Sequence, residues 1–128
     1  MPMNIDRTNN NNYHDDFKMA GFTVRYPMPT EFRYYHDASH GWLEVEREAL
    51  LALGIPDKIS EYSYMNGSKV YLEEDADMCM FLHALKDQYK IEPTFKDIVS
   101  ATDRSFIREY ADYRFKFDQV QSIEKKGE

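Results

Sequence analysis

Apolar and polar positions alternate twice between Glu31 and Val45, in FRYYH and again in WLEV, on either side of the polar stretch DASHG. Period-two alternation around a turn signal predicts a β-hairpin with a loop of four or five residues. Directly after it, Ala49, Leu50 and Leu53 recur at helical spacing, and Gly54 with Pro56 beyond it predicts a short helix ended by a left-handed glycine cap. The same order then returns. YSYM and KVYL alternate around Asn66-Gly67, a pair suited to a type I′ turn, so a second hairpin is expected. That pairing puts Tyr62, Tyr64, Lys69 and Tyr71 on one face and Met65, Val70 and Leu72 on the other. Past Asp75, a candidate N-cap, the spacing of Met78, Phe81, Leu82, Leu85 and Tyr89 predicts the longest helix of the chain.

The flanks are less regular. Residues 1–16 contain four consecutive asparagines, Asn9 to Asn12, and read as a flexible lead-in. Phe22, Val24 and Tyr26 alternate before Pro27 and Pro29, the pattern of a short edge strand. Thr94 to Val99 reads as either a short helix or a strand, and Phe106, Tyr110, Tyr113 and Phe117 fall at the spacing of a C-terminal helix. Residues 119–128 form a polar tail. Two successive hairpin-then-helix units predict an α+β fold, an antiparallel sheet of about four strands with two to three helices packed on it, as a single domain over residues 17–118.

Composition narrows the classes. The 128 residues are 42% hydrophobic and 15% aromatic, enough to build a core and too much for a disordered chain. Lys plus Arg number 16 against 23 Asp plus Glu, a formal charge of −7, which works against phosphate binding and demotes nucleic acid as a partner. Cys79 is the single cysteine, so no internal disulfide framework exists. No apolar run of membrane-spanning length and no signal pattern is present, and the expectation is a cytoplasmic protein with no membrane association.

The chemically richest stretch is YYHDASHGW, residues 34–42. His36, Asp37 and His40 are of metal-ligand type, with His14 or His83 to complete a site, but the HxxxH spacing gathers ligands only on a helix, and Gly41 and the alternating flanks indicate a turn. A triad of Ser39, His40 and Asp37 fails because near-adjacent residues on one turn cannot converge in a relay. The expectation is therefore no catalytic residue, no metal and no cofactor. Asp75, Cys79 and His83 form one helical stripe without a partner cysteine, and Cys79 reads as a small buried hydrophobe. Arg104 and Arg108, one turn apart, are candidates for gripping a phosphate or an acidic partner, although the plainer reading is the charged outer face of an amphipathic helix. The strongest interface candidates are aromatic: Tyr62, Tyr64 and Tyr71, continued by Tyr35, His36, His40 and Trp42 on the adjoining hairpin, because side chains with an apolar body and a polar tip concentrate at interfaces.

The segments FRYYHDASHGWLEV, LGIPDKIS, EYSYMNGSKVYLEEDAD and RSFIREYADY resemble a group of small uncharacterised proteins encoded by phages, plasmids and other mobile elements, over roughly residues 31 to 113. That resemblance transfers no catalytic role. It implies an accessory gene of a mobile element acting inside a host bacterium, often on a host or defence protein. The leading expectation is a protein-binding module that modulates such a partner. Two alternatives stand beside it: a small metal-dependent hydrolase or nuclease built on His36, Asp37 and His40, and an RNA or single-strand binder stacking bases on the tyrosines. Self-association is compatible with each.

Overall fold

The computed structural model describes residues 16–19 and 22–115 of the chain, and side chains from Arg25 onward. Strands β1 (Asp16–Met19) and β2 (Phe22–Arg25) pair antiparallel, so the strand expected around Phe22 is present and has a partner. The rest is one mixed sheet. Strands β3 (Glu31–His36) and β4 (Gly41–Glu46) form the first hairpin, and β5 (Tyr64–Asn66) and β6 (Lys69–Glu73) the second. Helix α1 (Arg47–Leu53) follows the first hairpin and α2 (Ala76–Tyr89) the second. Strands β7 (Thr94–Val99) and β8 (Ala111–Asp112) complete an order of β7-β3-β4-β6-β5-β8.

The class is α+β, as the alternation indicated, but the sheet has six strands and is not wholly antiparallel. β7 pairs in parallel with β3, from Glu31 opposite Thr94 to His36 opposite Val99. The chain leaves β6, runs through α2 and lands beyond β4 and β3 on the far edge. Parallel pairing needs such a long crossover, and Pro93 stops any helix from continuing into Thr94.

Pleating sorts the side chains into two layers. Phe32, Leu43, Val45, Val70 and Leu72 face Ala49, Leu50 and Leu53 of α1 and Phe81 and Leu85 of α2 in the main core. Gly54 caps α1 at φ 76°, with its N–H donating to Leu51 and that of Ile55 to Leu50. On the opposite layer Trp42, Tyr71 and Ile107 form a second buried cluster, with Tyr35, Tyr64 and Tyr110 against it.

Local corrections follow from the same packing. The expected C-terminal helix is a single 3-10 turn, Phe106–Glu109, and then β8. A helix would keep Phe106, Tyr110 and Tyr113 on one face, whereas Tyr110 joins the second cluster and Tyr113 the main core. Phe117, the lead-in before Asp16 and the polar tail lie outside the described residues. In the second hairpin Asn66 pairs with Lys69, so the loop is Gly67-Ser68 and only Gly67 takes a positive φ, 63°. A type I′ turn needs two such residues, and Ser68 resists the second. Asp75 occupies the N-cap position of α2 without a side-chain cap bond; Glu73 does the capping, accepting from the N–H groups of Asp75, Ala76 and Asp77 at 2.7, 2.9 and 3.3 Å. Cys79 is exposed, not buried, because the core stripe of α2 runs through Asp77, Phe81 and Leu85.

Candidate functional site

The site is assembled at the tip of the first hairpin. Between His36 and Gly41 the chain turns on Asp37, whose Oδ1 accepts from the backbone N–H of Ser39 and of His40, both at 3.0 Å. A short carboxylate that bonds its own turn is the usual reason for aspartate in such a loop. Here the same side chain reaches across 71 residues. Its Oδ2 accepts from Ser105 N–H at 2.9 Å and from Arg108 Nε at 2.7 Å, while Arg108 Nη2 donates to Oδ1 at 3.0 Å. The Asp37 side chain has no exposed surface. Arg108 on both carboxylate oxygens, helped by the three backbone donors, holds the carboxyl well below the usual carboxylate range even though burial pushes the other way.

Arg108 is the second organising residue. Its Nη2 also donates to His40 Nδ1 at 2.9 Å, which fixes the proton of a neutral ring on Nε2. The guanidinium lies 5.2 Å from the centre of the Trp42 ring, and His40 stacks on the same indole at 6.2 Å. Trp42 meets Tyr64 edge to face at 6.1 Å. Beside these groups opens a cavity of about 330 Å³ lined by His40, Trp42, Tyr62, Tyr64, Glu73, Asp75 and Arg108. Its walls are aromatic, and its rim carries the helix-capping Glu73 and the exposed Asp75 at the start of α2.

Four of the seven aromatic and histidine candidates therefore meet in one place: His40, Trp42, Tyr62 and Tyr64. They are not a uniformly exposed face. Trp42 is 2% exposed and Tyr71 4%, because residues 105–110 lie over that layer with Ile107 inserted. Tyr62 precedes β5 in a loop and is 75% exposed. Tyr71 gives its hydroxyl to Glu44 at 2.9 Å and, buried beside that carboxylate, has its phenol pushed up. Tyr35 packs edge to face on Tyr71 and on Phe106.

His36 lies apart, on the helix-bearing layer, where it stacks on Tyr34 and meets Asp97 Oδ2 at 3.0 Å. Asp37 and His40 share Arg108 while His36 pairs with Asp97 on the other side of the sheet, and among the described residues no group of three or more His, Cys, Asp and Glu side chains could hold a metal ion. Arg104 pairs with Glu109 at 3.3 Å on the surface, and Arg108 is committed to Asp37. No helix among the described residues is long and apolar enough to cross a membrane.

In the sequence the run Glu73, Glu74, Asp75 and Asp77 reads as a cation site or a negative patch for a basic partner, or more plainly as a solvated helix start suited to the dipole, and two of its members, Glu73 and Asp75, line the cavity. Sequence reasoning missed the Asp37–Arg108 pair. Each partner was singled out for a different role, and no local pattern joins positions 71 residues apart. No protein-family model matches the chain, and neither a curated protein nor a solved structure does.

Proposed function

We propose that the chain is an acidic, non-enzymatic protein-binding module, of the kind that accessory genes of phages and mobile elements encode, and that it engages a basic surface of a host or defence protein. The observation that carries this reading is the convergence of His40, Trp42, Tyr62 and Tyr64 around one open cavity beside the carboxylates of Glu73 and Asp75. Aromatic side chains held by their neighbours give contact area at little entropic cost, and a net charge of −7 speeds encounter with a basic partner. Tyr62 in the cavity lining is exposed, and so is Phe106, which packs on Tyr35 and Tyr110.

The test is affinity capture from a host bacterial lysate on the immobilised protein, compared with Tyr62→Ala and with Lys86→Ala. Lys86 is a surface residue that pairs with Glu92 in the last turn of α2. The reading expects a partner with a basic surface, lost on Tyr62→Ala and on raising the salt, and kept with Lys86→Ala. A partner indifferent to Tyr62, or salt-sensitive retention of an oligonucleotide in its place, would remove it.

A further inference from the structure

We propose that the cavity bounded by Trp42, Tyr62, Tyr64, Glu73, Asp75 and Arg108 accepts a cationic side chain, an arginine or a lysine, projecting from a basic segment of the partner. This deepens the protein-binding reading and rests on it for the source of that side chain. The charges decide the ligand class. Arg108 contributes a cation, but two hydrogen bonds tie it to the buried Asp37 carboxylate, so the pair presents little net charge to the cavity. His40, also in the lining, accepts the Arg108 N–H on Nδ1, and the carboxylates of Glu73 and Asp75 remain. Glu73 Oε1 accepts one helix N–H and Oε2 two, which leaves acceptor capacity on the carboxylate. The Asp75 carboxylate has no ion-pair partner among the described residues. An anion entering here would meet two like charges, and a neutral apolar group would desolvate them without compensation.

The walls agree with the rim. Aromatic faces attract cations through their quadrupoles, and the Trp42 ring already receives the guanidinium of Arg108. Among the described residues no cation lies over Tyr62 or Tyr64, so these rings are the aromatic surface left for an incoming side chain. A volume of about 330 Å³ admits one long side chain but not a folded element.

Trp42 is the only tryptophan of the chain and stands in the cavity wall, so its emission reports occupancy directly. The probes are capped pentapeptides with a central arginine, lysine, citrulline or glutamate between glycines. The arginine and lysine peptides should perturb Trp42 emission saturably at concentrations up to about 10 mM, as suits one anchored cation. Citrulline keeps the shape of arginine and loses the charge, and should bind about tenfold more weakly, the equivalent of ~1.4 kcal/mol. Asp75→Asn and Tyr62→Ala, both at exposed positions, should each weaken the arginine peptide severalfold with an unchanged melting temperature. Equal binding of citrulline, preference for the glutamate peptide, indifference to Asp75→Asn, or no response to arginine each overturns the proposal. A lysate partner that depends on Tyr62 while the arginine peptide does nothing refutes the cation site alone. Arginine binding without any Tyr62-dependent partner refutes the protein-binding reading alone.

Discussion

Asp37 does more than close its turn, and the difference can be measured. Its carboxylate is fully buried and joins the hairpin tip to the segment that lies over the second cluster. Asp37→Asn keeps the size but removes the charge opposite a guanidinium that is mostly buried, and should cost about 2–3 kcal/mol of unfolding free energy at neutral pH. The pH dependence follows from the sign of the shift. A carboxyl whose folded pKa lies below its unfolded value contributes stability above the unfolded pKa, near 4, and loses it as pH falls toward the folded value. The gap between wild type and Asp37→Asn should therefore stay flat from pH 8 to about pH 5 and close below about pH 4, read by denaturant melts across that range. Gly41 makes a second prediction at this scale. A Cβ there would run into Oη and Cζ of Tyr34, whose hydroxyl is bonded to Glu74 at 2.9 Å. Gly41→Ala should cost about 1–3 kcal/mol, and Tyr34→Ala in the same chain should cost less than it does alone, because the clash leaves with the ring.

At the scale of elements, residues 105–110 are the piece that defines the site, since they cover the aromatic layer and leave the cavity open beside Arg108 and Trp42. Ser105 starts the 3-10 turn by accepting from Ile107 N–H at 3.2 Å, and Ile107 is fully buried in the second cluster with Trp42 and Tyr71. Ile107→Ala should destabilise by about 2–4 kcal/mol and, by letting water reach the indole, move Trp42 emission to longer wavelength in the folded state. An unchanged spectrum would mean that the segment does not seal Trp42. This segment is also where the sequence misled. Phe106, Tyr110 and Tyr113 have helical spacing, yet Tyr110 serves one core and Tyr113 the other, and a period cannot say that a chain divides its aromatics between two layers. The hairpins, both helices and the Gly54 cap were legible because each rests on signals within about 15 residues. β7 was not. Its parallel place beside β3 depends on a crossover through α2 and on Pro93, and its exposed edge position gives its residues no burial pattern to read. For the site, His40, Trp42, Tyr62 and Tyr64 are legible from residue type together with their places on the two adjoining hairpins. The division of His36 from His40 was hidden because it depends on which side of the sheet the tip residues fall.

The whole molecule carries its ionisable groups so that stability should fall at both ends of the pH range, for opposite reasons. The acid limb comes from Asp37, as argued above. The alkaline limb comes from tyrosines: burial, with Glu74 at the hydroxyl, pushes Tyr34 up to about 12, and burial pushes Tyr113 up to about 12 while its hydroxyl donates to Pro56 at 2.6 Å. Tyr71 is raised further by burial beside Glu44. A group with a raised folded pKa contributes stability that is complete below its unfolded value, near 10, and is lost as pH climbs through the folded one. The three rings are spread over both layers, Tyr34 and Tyr113 at the main core and Tyr71 in the second cluster, so ionising any of them strains the common sheet. Absorbance of the phenolate should then rise in two steps. Tyr34, Tyr71 and Tyr113 should supply the later step, only above about pH 11, together with the loss of near-ultraviolet circular dichroism. Tyr71→Phe removes the phenol that ionises last and its bond to Glu44 but leaves the packing, and should shrink the second step by one tyrosine while keeping its coincidence with unfolding. A single step near pH 10 with the dichroism intact would mean that these hydroxyls reach water in the native protein, and that the sheet is not sealed on both sides.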